Sequence, residues 1–143
     1  MNMLVGSLTF LPLLAAALAH LLWSLGSTWP IRNEQLLVQT VVGTPGATRM
    51  PNRLVIFVVA LLILAAGLVA LSISDHDSGG LLWTLIGAVL AIVFLGRGLA
   101  GYTPGWRARH SGEPFATLDR KTYSPLCLWV GVGFVLLVAM RLM

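Results

Sequence analysis

The chain has 143 residues, of which 57% are hydrophobic and 10% charged, and carries a formal net charge of +4. Soluble domains hold about a quarter charged residues, so this composition excludes an ordinary soluble domain and points to an integral membrane protein. It also argues against a nucleic-acid partner, because the Lys and Arg residues flank apolar runs, where membrane topology accounts for them.

A spanning helix needs about 20 apolar residues, and four runs approach or reach that length within one transmembrane domain over residues 1–143. The first covers residues 5–25. Its Ala17-Leu18-Ala19 resembles a signal-peptide cleavage site. The apolar stretch is longer than the roughly 7–15 residues of a secretory signal, and no Lys or Arg precedes it, so it reads as a membrane helix. Pro12 within it has no N–H to offer the Leu8 carbonyl, which predicts a kink.

The first connection is long. It holds Trp29-Pro30, then Glu34 to Gln39, which reads as a short interfacial helix, then the turn-forming Gly43-Thr44-Pro45-Gly46. The second run, residues 54–73, is uncharged. A short acidic turn with Asp75-His76-Asp77 follows; adjacent side chains in so short a turn do not converge on one ion, so it reads as solvated and no metal site is expected.

The third run, residues 81–102, is interrupted by Arg97 and by Gly96, Gly98 and Gly101. These glycines either admit a neighbouring backbone or leave room for a ligand. Gly87 with Ala91, and Cys127 with Gly131, are small-residue pairs suited to close helix packing. As the one cysteine, Cys127 allows no internal disulfide. The third connection is basic, with Arg107, Arg109, Arg120 and Lys121, and Pro114 opens a short helical piece over residues 115–121. The fourth run covers residues 125–142, with Ser124 placed as an N-cap and Pro125 at the first helical position. The predicted fold is an all-α bundle of four transmembrane helices with interfacial helical pieces in the first and third connections.

Four crossings put the first and third connections on one side. That side gathers Arg32, Arg49, Arg53, Arg97, Arg107, Arg109, Arg120 and Lys121, against Arg141 alone on the other. Short loops rich in Lys and Arg remain cytoplasmic. Both termini are therefore expected to face outward, to periplasm or exterior, with the basic connections cytoplasmic.

Polar residues inside such spans are informative. Thr9, Ala16, His20, Trp23, Ser24 and Ser27 fall on one helical face. Topology brings His20, Trp23, Arg97, Asp119 and Tyr123 to the same end of the bundle, where they form the candidate ligand site. Each has a structural reading beside the functional one. Arg97 can snorkel to water or pair with Asp119. His20 can hydrogen-bond a neighbouring helix. Trp23, Trp29, Trp106 and Tyr123 can be interfacial aromatics.

The chain resembles a family of small bacterial four-helix membrane proteins defined as a domain of unknown function. The resemblance rests on His20 with Trp23 and Gly26, on Trp29-Pro30, on Arg97-Gly98, and on the stretch from Phe115-Ala116 through Asp119 to Tyr123-Ser124-Pro125-Leu126-Cys127-Leu128. The family pattern often has an acidic residue soon after Arg-Gly, whereas Leu99-Ala100-Gly101-Tyr102 stands here. The resemblance implies a topology and a set of marked residues, and it implies no activity or cofactor.

Three functions compete. In the first, a pocket at the cytoplasmic interface binds a lipid, quinone or other amphipathic metabolite. Arg97 would hold an anionic head group, Asp119 would orient Arg97, and His20 would handle a proton. An isomerase- or transferase-type reaction would fit such a pocket, but no residue pattern identifies one. In the second, the chain is an accessory subunit of a membrane-protein partner and the polar cluster is internal glue. In the third, it is an oligomeric transporter, which the lack of polar groups at the centres of the second, third and fourth runs disfavours.

Overall fold

The computed structural model describes residues 2–29, 31, 33–46, 49–75 and 80–143. Pro30, Arg32, and the His76 and Asp77 of the acidic turn lie outside the described residues.

Four long helices are present among the described residues: α1 (Asn2–Ser24), α3 (Arg53–Ile73), α4 (Gly80–Ala100) and α7 (Ser124–Leu142). Each contains a window of mean hydropathy between 1.9 and 3.2, enough to cross a membrane. Short helices α2 (Glu34–Val41), α5 (Pro104–Arg109) and α6 (Phe115–Leu118) occupy the first and third connections, α2 and α6 where the sequence predicts helical pieces and α5 where it does not. Large apolar side chains such as Leu62, Leu82, Ile92 and Trp129 point outward and are more than half exposed. An apolar exterior of this kind needs lipid around it. The protein is a multi-pass membrane protein.

The helices form two antiparallel pairs, α1 with α3 and α4 with α7, and α1 also packs on α7 to join them. Small residues set the spacing. A Cβ on Gly131 would lie 2.9 Å from the Leu95 backbone nitrogen, and one on Gly98 would lie 3.0 Å from that of Leu128. These reciprocal notches bring the α4 and α7 backbones together, as small residues do where lipid provides no hydrophobic drive for helix association. The core between the pairs is built from Leu13, Ala70, Ile73, Val130, Phe134 and Leu137.

Pro12 frees the Leu8 carbonyl, and the indole Nε1–H of Trp129 on α7 donates to it at 2.9 Å. The proline thus converts an intrahelical bond into an interhelical one. At the same end as the termini, Arg141 donates to the Gly80 and Asp75 carbonyls at 3.1 and 2.8 Å and to the Thr84 hydroxyl at 3.0 Å. It thereby ties α7 to the end of α3 and the start of α4. The Ser74 hydroxyl meets the Met3 sulfur at 3.1 Å there.

The first and third connections meet at the opposite end. The Gly112 N–H donates to the Gly43 carbonyl at 3.0 Å, and the Tyr123 hydroxyl donates to the Thr40 carbonyl at 3.0 Å. Gly43 has φ of +79°, and a side chain there would run into the Phe115 ring. Glycine is therefore required twice over, by backbone and by space.

Three sequence expectations change. Helix α1 ends at Ser24, so Ser27 leaves the predicted stripe, and α4 ends at Ala100 rather than at Tyr102. The fourth span has no break at Ser124. A π turn over Asp119–Tyr123 links α6 to α7, making one 28-residue helix from Phe115 to Leu142. Ser124 is therefore helical, with φ of −66°, and does not act as an N-cap. The reason lies in Pro125: its ring crowds the carbonyl four residues back, and the wider turn just before it relieves that crowding without ending the helix.

Candidate functional site

Arg97 emerges from the last full turn of α4. Its Nη2 donates to Asp119 Oδ1 at 2.8 Å, and Nη1 lies 3.4 Å from the Ser124 hydroxyl. Gly101 makes room for this arrangement, since a Cβ there would strike the Ser124 hydroxyl and approach the Arg97 guanidinium to 3.2 Å. Gly98 admits the Leu128 backbone, while Gly96 faces open space. The glycines around Arg97 therefore serve close approach of α7, and Gly101 serves the ion pair.

Asp119 is only 2% exposed. Besides Arg97 it accepts from the Ser124 hydroxyl at 3.1 Å and from the Trp106 indole Nε1–H at 2.7 Å. The π turn places Asp119 and Ser124 side by side on the inner face. The Thr103-Pro104 start of α5, with the Thr103 hydroxyl accepting from the Trp106 N–H, turns Trp106 back over the pair. The Arg97 Cζ then sits 4.2 Å from the Trp106 ring centroid, a cation–π distance. His110 stacks on Trp106 with ring centroids 4.1 Å apart. The acidic partner of Arg97 thus comes from the π turn, in place of a residue directly after Arg97-Gly98.

Beside this cluster lies a cavity of about 490 Å³. That volume is typical of a small-molecule site. Its polar lining comes from His20 and Trp23 of α1, Arg97 of α4, Tyr123 of the π turn and Cys127 of α7. Its apolar walls include Leu13, Ile63, Phe94, Phe115 and Val130. Four of the five predicted site residues therefore share one cavity. The fifth, Asp119, stands behind Arg97 and takes no part in the lining.

His20 Nδ1 lies 2.7 Å from the Ala16 carbonyl. A carbonyl only accepts, so Nδ1 donates a proton to it and Nε2 is the ring nitrogen left for another partner. Among the described residues no buried side-chain nitrogen or oxygen lacks a partner. Nε2 makes no bond to protein and is therefore accessible. By the same reasoning the Arg97 Nε–H is accessible, and its ion pair and serine contact leave donors to spare. Trp23 packs against His20 with ring centroids 4.9 Å apart and donates its indole N–H to the Trp29 carbonyl at 2.8 Å. Among the described residues no group of three His, Cys, Asp or Glu side chains is placed to hold a metal ion.

A family model described as "Protein of unknown function (DUF3995)" matches residues 13–134. The chain belongs to this family. No curated protein and no solved structure matches it. The DUF3995 match takes in Arg97, Trp106, Asp119, Ser124 and every cavity-lining residue but Pro12, while Arg141 falls beyond it.

Two members of the cluster escaped the sequence reading. Trp106 passes for an interfacial aromatic, yet Thr103-Pro104 marks a helix start that fixes its direction. Cys127 pairs with Gly131 by spacing and reads as helix packing, whereas it lies in the cavity wall. No spacing signal distinguishes the two roles.

Proposed function

We propose that this protein binds one amphipathic small molecule or lipid in the cavity between its helices. The polar head lies against Arg97 and His20, and the tail lies along Leu13, Ile63 and Phe94. The observation that carries the reading is an apolar cavity of about 490 Å³ with Arg97 and His20 in its lining, each keeping hydrogen-bonding groups that protein does not use. Arg97 is held rigidly by Asp119 and Trp106, so little side-chain entropy is lost when it meets a ligand. Tyr123 and Val41 also line the cavity, and the Tyr123–Thr40 bond ties α2 to the π turn beside it. The excess of cations in the first and third connections supports a cytoplasmic setting for this end in a bacterial inner membrane, with both termini outward.

The test is native mass spectrometry of protein extracted gently from its own membrane, beside an Ile63→Trp variant. The wild type should carry a stoichiometric extra mass. The variant, whose added ring fills the cavity, should lose it while keeping its melting temperature within a few degrees. A wild type that arrives empty, or a variant that keeps the extra mass, removes the pocket reading.

A further inference from the structure

The charge balance of the cavity says what kind of head group it accepts. Among the described residues Arg97 is the one Lys or Arg in the lining, and no Asp or Glu lines it. The Arg97 charge is already matched by Asp119 at 2.8 Å, and Asp119 is buried, so the match persists when a ligand enters. The other titratable groups facing the cavity are His20 on α1, Tyr123 in the π turn and Cys127 on α7; the lining residues of α2, α3 and α6 are apolar. An entering anion would find no unspent positive charge among the described lining residues, and burying an unbalanced charge is strongly unfavourable. Hydrogen-bonding capacity, in contrast, is unspent. Arg97 has spare N–H donors, and His20 Nε2 makes no hydrogen bond to protein, a vacancy a hydroxyl can fill.

We infer that the head group is uncharged and carries both functions, a carbonyl or ester oxygen for Arg97 and a hydroxyl for His20. A long-chain hydroxy ester has this pattern. A fatty carboxylate or a lipid phosphate does not. The inference rests on the pocket reading above and goes further by excluding the anionic head group that Arg97 alone suggests.

Three probes sharing one chain length decide it: monododecanoylglycerol, dodecanoate and dodecyl phosphate. Binding is measured on the full chain in nanodiscs at about pH 8, where a carboxylate is ionised. The neutral ester should bind at least about tenfold more tightly than either anion. Asp119→Asn frees the Arg97 charge and should move the preference at least about tenfold toward dodecanoate. If that variant does not fold, the wild-type order of affinities is sufficient by itself. Equal or tighter binding of either anion to the wild type overturns the inference and leaves the pocket standing. If none of the three probes binds, while Ile63→Trp still removes a native mass, the inference fails alone. If there is no native mass either, the pocket reading falls with it.

Discussion

Removing the Arg97 side chain would strand the Asp119 carboxylate behind a protein wall. A buried ion pair broken from one side is destabilising by about 3–5 kcal/mol. Arg97→Ala should therefore lower the melting temperature in mild detergent far more than His20→Ala, which exposes no buried charge. Trp106→Phe keeps the ring over the guanidinium but removes the bond to Asp119, and should be destabilising by about 1.5–3 kcal/mol. A thermal melt that ranks His20→Ala above either would show that the cluster does not hold the fold. At this scale the sequence was partly legible. An Arg near a helix end and an Asp one connection later, both on the same side, are enough to suggest a pair, and the pair forms. Trp106 was not legible as its third member, because interfacial tryptophans are common and only the turn of α5 aims this one inward. The Nδ1 bond of His20 was equally hidden, since it goes to the carbonyl of Ala16 one turn back.

Among the elements, α1 and α7 are joined by a bond that exists because of a proline. Pro12 leaves the Leu8 carbonyl open, and Trp129 fills it at 2.9 Å. Interhelical hydrogen bonds in membranes contribute about 0.6 kcal/mol on average and up to about 1.7. Trp129→Phe should have an effect of this size in the wild type. In a Pro12→Ala background, where residue 12 regains an N–H for Leu8, the same change should have a smaller effect. A double-mutant cycle of unfolding free energies reads the difference directly, and equal effects in both backgrounds would refute the coupling. The sequence shows that the carbonyl is orphaned, but it cannot show who answers, because that depends on the packing angle of α1 against α7. The π turn was beyond reach for a related reason. Ser124-Pro125 reads as a helix start under every local rule, whereas the wider turn that carries the helix past Pro125 also sets Asp119 and Ser124 against Arg97.

For the whole molecule, span number and the sidedness of the connections follow from hydropathy and crossing parity alone. The contacts between the first and third connections agree, with Gly112 on Gly43 and Tyr123 on Thr40. Orientation in the membrane rests on the distribution of Lys and Arg. It predicts that in a Cys127→Ser background a cysteine at Lys121 is shielded from impermeant thiol reagents in intact cells, while one at Met143 is labelled. The opposite pattern would reverse the orientation and place the cavity end outside.

The uninterrupted helix from Phe115 to Leu142 has a final consequence. Its 28 residues make a rod of about 42 Å, close to the full thickness of a bilayer with both of its headgroup layers. Asp119 lies one turn from the start of that rod, so in a rod centred on the bilayer the guanidinium it steadies stands about 15 Å from the midplane, at the edge of the hydrocarbon core. A molecule passing between leaflet and protein would then change its neighbours while keeping its depth.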